Sequence, residues 1–264
     1  MLETNPFSIL AETVSPFAMQ SFIIAMILLI AFGTIIQMIK HKNLTYILNN
    51  AKKAKLQATR EIGTGERVSI LAKTAVVDIG TTAELGFGKR RLSHVLGMYG
   101  TIIFWVSSAM LVFCYTGADK SSSTIWSMLW HVGAILTCIG GYWFWLFLRV
   151  DVSAEAHPWY RIIKADLFVL ALLACSTFGL AWSYTQFNGQ VGLSFLFLTL
   201  FVASNLVLFG GVYWSKFAHM FYKPGAAIQK NLAEADGSRD NLPPLADAPK
   251  QFGLGIKREE PKHY

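Results

Sequence analysis

Residues 191–214 read VGLSFLFLTLFVASNLVLFGGVYW, a run without one Asp, Glu, Lys or Arg. It exceeds the roughly 20 residues with which an α-helix crosses about 30 Å of hydrocarbon. Lipid offers no partner to backbone N–H and C=O groups, so such a run crosses as a helix that pairs them internally. Four further runs share this character: Pro16–Met38, Val95–Thr116, Trp126–Leu148 and Ile162–Tyr184. Among the five, only Ile162–Tyr184 carries charge, Lys164 and Asp166, both in its first turn. With 53% hydrophobic and 15% charged residues, the chain has too little charge for a soluble domain of 264 residues. The sequence predicts an all-α integral membrane protein with five transmembrane helices.

The net charge of +7 would suggest a nucleic-acid ligand in a soluble protein, but its distribution points elsewhere. Every one of the 23 Lys and Arg except Lys120 falls in one of three places. These are the 39–94 segment, the connection between the third and fourth spans with its flanks, and the stretch from the end of the fifth span onward. Basic loops stay on the cytoplasmic side, which predicts an outside N-terminus and a cytoplasmic C-terminus. It also removes nucleic acid from the expected partners and leaves membrane lipid. Trp126, Trp130 and Trp182 are expected near the outer interface, and Trp143, Trp145, Trp159 and Trp214 near the inner one. Met1–Glu12 lacks the basic start of a cleaved signal peptide.

Four regions follow: residues 1–38 with the first span, a cytoplasmic basic helical segment 39–94, a four-span bundle 95–222, and a flexible cytoplasmic tail 223–264. In the second region Leu44, Ile47, Leu48, Ala51 and Ala54 recur at helical spacing, with Lys52, Lys53 and Lys55 elsewhere on the wheel. This is a basic amphipathic helix, suited to the membrane surface, to a partner, or to neither. Gly63 and Gly65 break it, and Val68–Val77 predicts a second short helix. The tail, with Pro243, Pro244, Pro249 and Pro261 among mixed charges, is expected to be extended.

Cys114, Cys138 and Cys175 lie inside apolar runs and form no CxxC pair, which argues for packing and against a zinc or iron–sulfur site. Ionisable residues inside a membrane are functional candidates because they are costly there. His94 opens the second span and His219 ends the fifth, so the topology puts both near the cytoplasmic face on different helices. Two histidines facing across a bundle can ligate a haem iron; a histidine at a helix end can equally be an interfacial residue. Arg90 and Arg91, with Lys89, precede His94 and could meet haem propionates or a quinone headgroup, or simply hold the helix end inside. Lys216 is open to the same two readings. His131 stands alone toward the outer face, and a hydrogen bond between helices is the expected role.

The stretch KRRLSHVLGMYG, Lys89–Gly100, resembles the start of the second span in the gamma-subunit family of respiratory nitrate reductase. That family includes membrane subunits of heterodisulfide reductase and of quinone-interacting sulfur-metabolism complexes. WSKFAHMFYKP, Trp214–Pro224, is similar to its fifth-span ending, and the third span and the Asp166 opening of the fourth fit the pattern; the resemblance covers roughly residues 70–225. It implies that His94 and His219 are axial ligands of one haem b. The family's second haem uses histidines where this chain has Phe104-Trp105 and Phe201-Val202, so that haem is not expected. Size, and the lack of a fused iron–sulfur domain, most resemble the membrane anchors associated with dissimilatory adenylylsulfate reductase. The resemblance implies a subunit of a bacterial or archaeal cytoplasmic membrane. There it would pass electrons between the quinone pool and a cytoplasmic flavin/iron–sulfur oxidoreductase such as adenylylsulfate reductase. The alternative is a haem-free anchor or scaffold that recruits the same enzyme. A solute transporter is disfavoured by the absence of carboxylates from the span interiors.

Overall fold

The structure, a computed structural model, describes residues 1–40, 42–85, 88–116, 124–150, 157–215, 219–238, 251–252 and 256–257. Nine α-helices run through them: α1 Pro6–Leu10, α2 Pro16–Lys40, α3 Asn43–Gln57, α4 Thr64–Lys73, α5 Lys89–Cys114, α6 Thr124–Trp143, α7 Leu167–Phe187, α8 Val191–Gly210 and α9 His219–Ala235. α4 continues as π-helix over Thr74–Gly80 and α6 over Phe144–Leu148, while Lys164–Asp166 and Gly211–Tyr213 are short 3-10 turns beside α7 and α8. Five of these stretches are long and apolar enough to cross a membrane: Pro16–Lys40, Lys89–Cys114, Thr124–Leu148, Lys164–Phe187 and Val191–Tyr213. The five-span, all-helical reading therefore holds. The second helix starts at Lys89, earlier than the hydropathy run, so the basic triplet and His94 ride on the spanning helix itself.

The chain divides into two compact units, residues 1–37 with 89–218, and residues 38–88 with 219–264. In the first, α5, α6, α7 and α8 form an antiparallel bundle in chain order. α5 and α6 touch backbone to backbone. A Cβ on Gly100 would lie 2.9 Å from Gly133 O, one on Gly133 2.6 Å from Phe104 N, and one on Gly140 2.6 Å from Ser93 O. Apolar tails in lipid supply little drive for helix association, so small residues that let backbones close are the expected device. Hydroxyls stitch the same seam: Ser93 Oγ donates to Gly140 O at 2.7 Å and Trp130 Nε1 donates to Ser108 Oγ at 2.9 Å.

One end of the bundle is closed by α1. Asn5 accepts from Phe7 N–H at its N-cap and donates through Nδ2 to Tyr115 O at 3.0 Å, tying α1 to the end of α5. Phe7 then meets Trp130 at 5.9 Å and Trp182 at 5.4 Å between ring centroids. Trp130 and Trp182, expected at the interface, are fully buried here and face the interior. α2 is attached sparsely: only 6% of its apolar window is buried. Gln20 Nε2 donates to Val112 O at 3.4 Å, and Gly33 lies against Val212.

The second unit corrects the expectation of a flexible tail at its near end. Residues 219–235 form α9, with Pro224 inside it. Partners from the 38–88 segment hold it: Asn231 Nδ2 donates to Thr74 Oγ1 and Asp78 Oδ2, both at 2.7 Å. At its C-terminal end Arg60 Nε donates to Ala235 O at 2.6 Å and Thr59 N–H to Asp236 O at 2.9 Å, satisfying carbonyls that a helix end leaves open. Gly237, at φ +78°, takes the left-handed conformation that lets the chain leave the helix. Arg60 is also paired with Glu66, whose hydrogen bond raises the guanidinium pKa further. In α3 the small Ala54 is buried but Leu48 is exposed, so the predicted apolar face is only partly covered. Beyond 238 the described residues are Gln251–Phe252 paired antiparallel with Ile256–Lys257.

Candidate functional site

The candidate site is built on the first turns of α5, at the bundle end opposite α1. Ser93 is buried and faces α6 through its bond to Gly140 O. One residue on, about 100° further round the helix, His94 is exposed. Trp105, eleven residues later and three turns up, returns to nearly the same azimuth as His94. Its ring stands 5.3 Å from that of Phe209 on α8. His94 therefore lies on the face of α5 that meets α8 higher in the bundle. Between them Gly97 leaves open space, since a Cβ there would meet nothing within 4 Å; the same is true of Gly210 on α8. An imidazole with a side-chain-free turn beside it is compatible with the edge of a flat ligand, and imidazole nitrogen is a haem donor.

Arg90 and Arg91 occupy the first turn of the same helix, half-buried, and Lys89 is exposed. His219 opens α9 in the second unit, whereas His94 belongs to the first. The side chain of His219, Lys216 and the remaining tail positions 239–250 lie outside the described residues. Among the described residues no group of three or more His, Cys, Asp or Glu side chains gathers.

The half of the bundle toward α1 is filled by aromatic rings. Phe104 stands 5.1 Å from Trp130 and 6.3 Å from Phe201, and Phe201 stacks on Trp182 at 5.8 Å. Phe104 and Phe201 are both buried core residues in this fold. His131 is fully buried in the same layer. Its Nδ1–H donates to Ser127 O at 2.7 Å, a carbonyl that can only accept. Ser183 Oγ, on α7, then lies 2.7 Å from Nε2. With both ring nitrogens engaged, His131 is a bond between helices, as expected. Cys175 is buried, and Cys114 and Cys138 are half-buried free thiols.

Sequence reasoning missed the role of Arg149. It counted among the basic residues of the third-to-fourth connection, yet its side chain is fully buried and pairs with Asp166 at 2.5 Å. The sequence held no distinctive signal for the pair, since Asp151, Glu155, Arg161 and Lys164 lie between them. No protein-family model, curated protein or solved structure matches this chain.

Proposed function

We propose that the protein is a membrane electron-transfer subunit, with His94 and His219 holding one haem b that supplies a one-electron centre. Its basic face would receive a cytoplasmic flavin/iron–sulfur oxidoreductase, adenylylsulfate reductase being the class the sequence resemblance suggests, and a membrane quinone would be the other redox partner. The reading takes the N-terminus as outside and the membrane as that of a bacterium or archaeon. The observation that carries it is the placement of His94: an exposed imidazole on the α8-facing side of α5, with Gly97 leaving room one turn on. The filled aromatic half of the bundle supports a single haem rather than two.

A second reading, a haem-free anchor, is favoured by the second unit. There α3, α4 and α9 assemble through Asn231, Thr59 and Arg60 into a module that could recruit a soluble enzyme without redox chemistry of its own. A dithionite-reduced minus oxidised spectrum of the purified protein separates the two. A b-type band lost in His94→Ala and in His219→Ala supports the electron-transfer reading. Absence of the band leaves the anchor, and a band that persists in both variants overturns His94 and His219 as the ligands.

A further inference from the structure

We propose that the 157–164 connection is an anionic-phospholipid site, a pinned loop that seats Trp159, Tyr160 and Ile162 in the headgroup layer and presents Arg161 and Lys164 to a lipid phosphate. The pinning comes from Arg149, the first residue past the third span. Its Nη1 donates to Pro158 O at 2.8 Å and His157 O at 3.3 Å, and its Nη2 to Arg161 O at 2.6 Å and Asp166 Oδ2 at 2.5 Å. Its guanidinium also lies 4.3 Å over the Trp145 ring. Asp166 takes a further bond from Ile163 N–H at 2.9 Å, and His157 N–H returns to Arg149 O at 3.0 Å. Residues 157–163 are thus fixed to the ends of two spans at once, which fixes their depth at the border of the hydrocarbon.

What the loop displays matches that depth. Trp159 is 59% and Tyr160 71% exposed, Ile162 is likewise exposed, and Arg161 and Lys164 are exposed between and beside them. Aromatic rings with adjacent cations are the composition of a membrane interface. The surface also continues into the bilayer. Leu146 and Phe147, on the last turn of the third span, are exposed as well. A soluble protein could cover Phe147 only by entering the lipid, whereas a phospholipid covers both levels with one molecule, acyl chains on Phe147 and phosphate on the cations. The proposal is independent of any cofactor.

The test uses the full chain in vesicles of phosphatidylcholine and phosphatidylglycerol. The emission lost on Trp159→Phe isolates the signal of Trp159, and chain-brominated lipid quenches it on contact. A cation near an anionic surface is worth about fivefold in local lipid enrichment. Brominated phosphatidylglycerol should therefore quench Trp159 at a bulk fraction about fivefold or more below that needed with brominated phosphatidylcholine. Arg161→Gln/Lys164→Gln should bring the two fractions together. Arg149→Gln should do the same with both surface cations intact, because the loop is released; if that variant does not fold, the surface pair still decides. Equal quenching by the two lipids in the parent chain overturns the proposal. So does quenching by aqueous iodide but by neither lipid, which would mark the loop as a water-facing docking surface for a protein.

Discussion

Replacing Gly140 by alanine should weaken the bundle, and replacing Gly97 by alanine should not, although the two glycines are neighbours across one seam. At Gly140 the new methyl would sit 2.6 Å from Ser93 O and 2.9 Å from Gly97 Cα, where ordinary contact begins at 3.4 Å. Gly97 N stands closer still, and all three obstacles are backbone, so α5 and α6 must separate by about 1 Å at that tier, the difference between contact and overlap. Overpacking of this kind costs about 1–3 kcal/mol. The same movement stretches the Ser93–Gly140 bond from 2.7 Å toward the limit of a hydrogen bond, with a loss of ~0.6 kcal/mol for a bond between helices in a membrane. Both variants share the gain of about 1 kcal/mol from exchanging glycine for alanine in a helix, so it cancels when they are compared. At Gly97 nothing opposes the methyl within 4 Å. G97A should therefore be the more stable of the two by about 1.6–3.6 kcal/mol, the overpacking and hydrogen-bond losses together. Reversible unfolding of the purified protein from mild detergent into SDS, followed by circular dichroism, measures this difference. Equal stability of G97A and G140A, or G97A the weaker, would refute the backbone-contact account of the α5–α6 seam. G141A offers an internal check: its methyl meets only the flexible end of Leu173, so it should fall between the other two.

Three further outcomes follow from the packing. A double-mutant cycle of His131→Ala and Ser183→Ala should show a coupling of roughly 0.6–1.7 kcal/mol in the same unfolding assay, the range for bonds between membrane helices, and should leave any haem spectrum unchanged. Arg149→Gln should destabilise by about 3–5 kcal/mol, because it leaves the Asp166 carboxylate buried without its cation, and should open residues 157–163 to proteolysis; restored loop protection in Arg149→Gln/Asp166→Asn would show that the stranded charge, not the lost carbonyl contacts, dominates. Gly237→Ala should cost the second unit about 1–2 kcal/mol, since a side chain is forced into the left-handed region, read as faster amide exchange over 219–235 with the spans unaffected.

The spans were legible because hydropathy acts on 20-residue windows and needs no tertiary partner; even so, the Lys89 start of α5 escaped, since three basic residues end a hydropathy run without ending a helix. α9 was not legible for the opposite reason. Residues 226–235, AAIQKNLAEA, are rich in helix formers, but Pro224 and Gly225 just before them pointed to an extended tail; the helix is held by Thr74, Asp78, Thr59 and Arg60, more than 150 residues earlier in the chain. Trp130 and Trp182 show the limit of belt statistics: both sit near span ends, but the azimuth that decides between lipid and core is set by Phe7, which only the folded chain brings beside them. His131 was read correctly from its isolation. At the candidate site, the sequence singled out His94, Arg90 and Arg91; that Ser93 and not His94 faces α6 follows from the glycine register of the seam, which no single-sequence pattern specifies.

The central claim is that His94 and His219 ligate one haem b, and optical difference spectroscopy of the purified protein tests it most directly. The account predicts a single b-type reduced band, retained in His131→Ala and abolished in both His94→Ala and His219→Ala. A protein that folds without any such band, or one whose band survives the loss of His94, would contradict it.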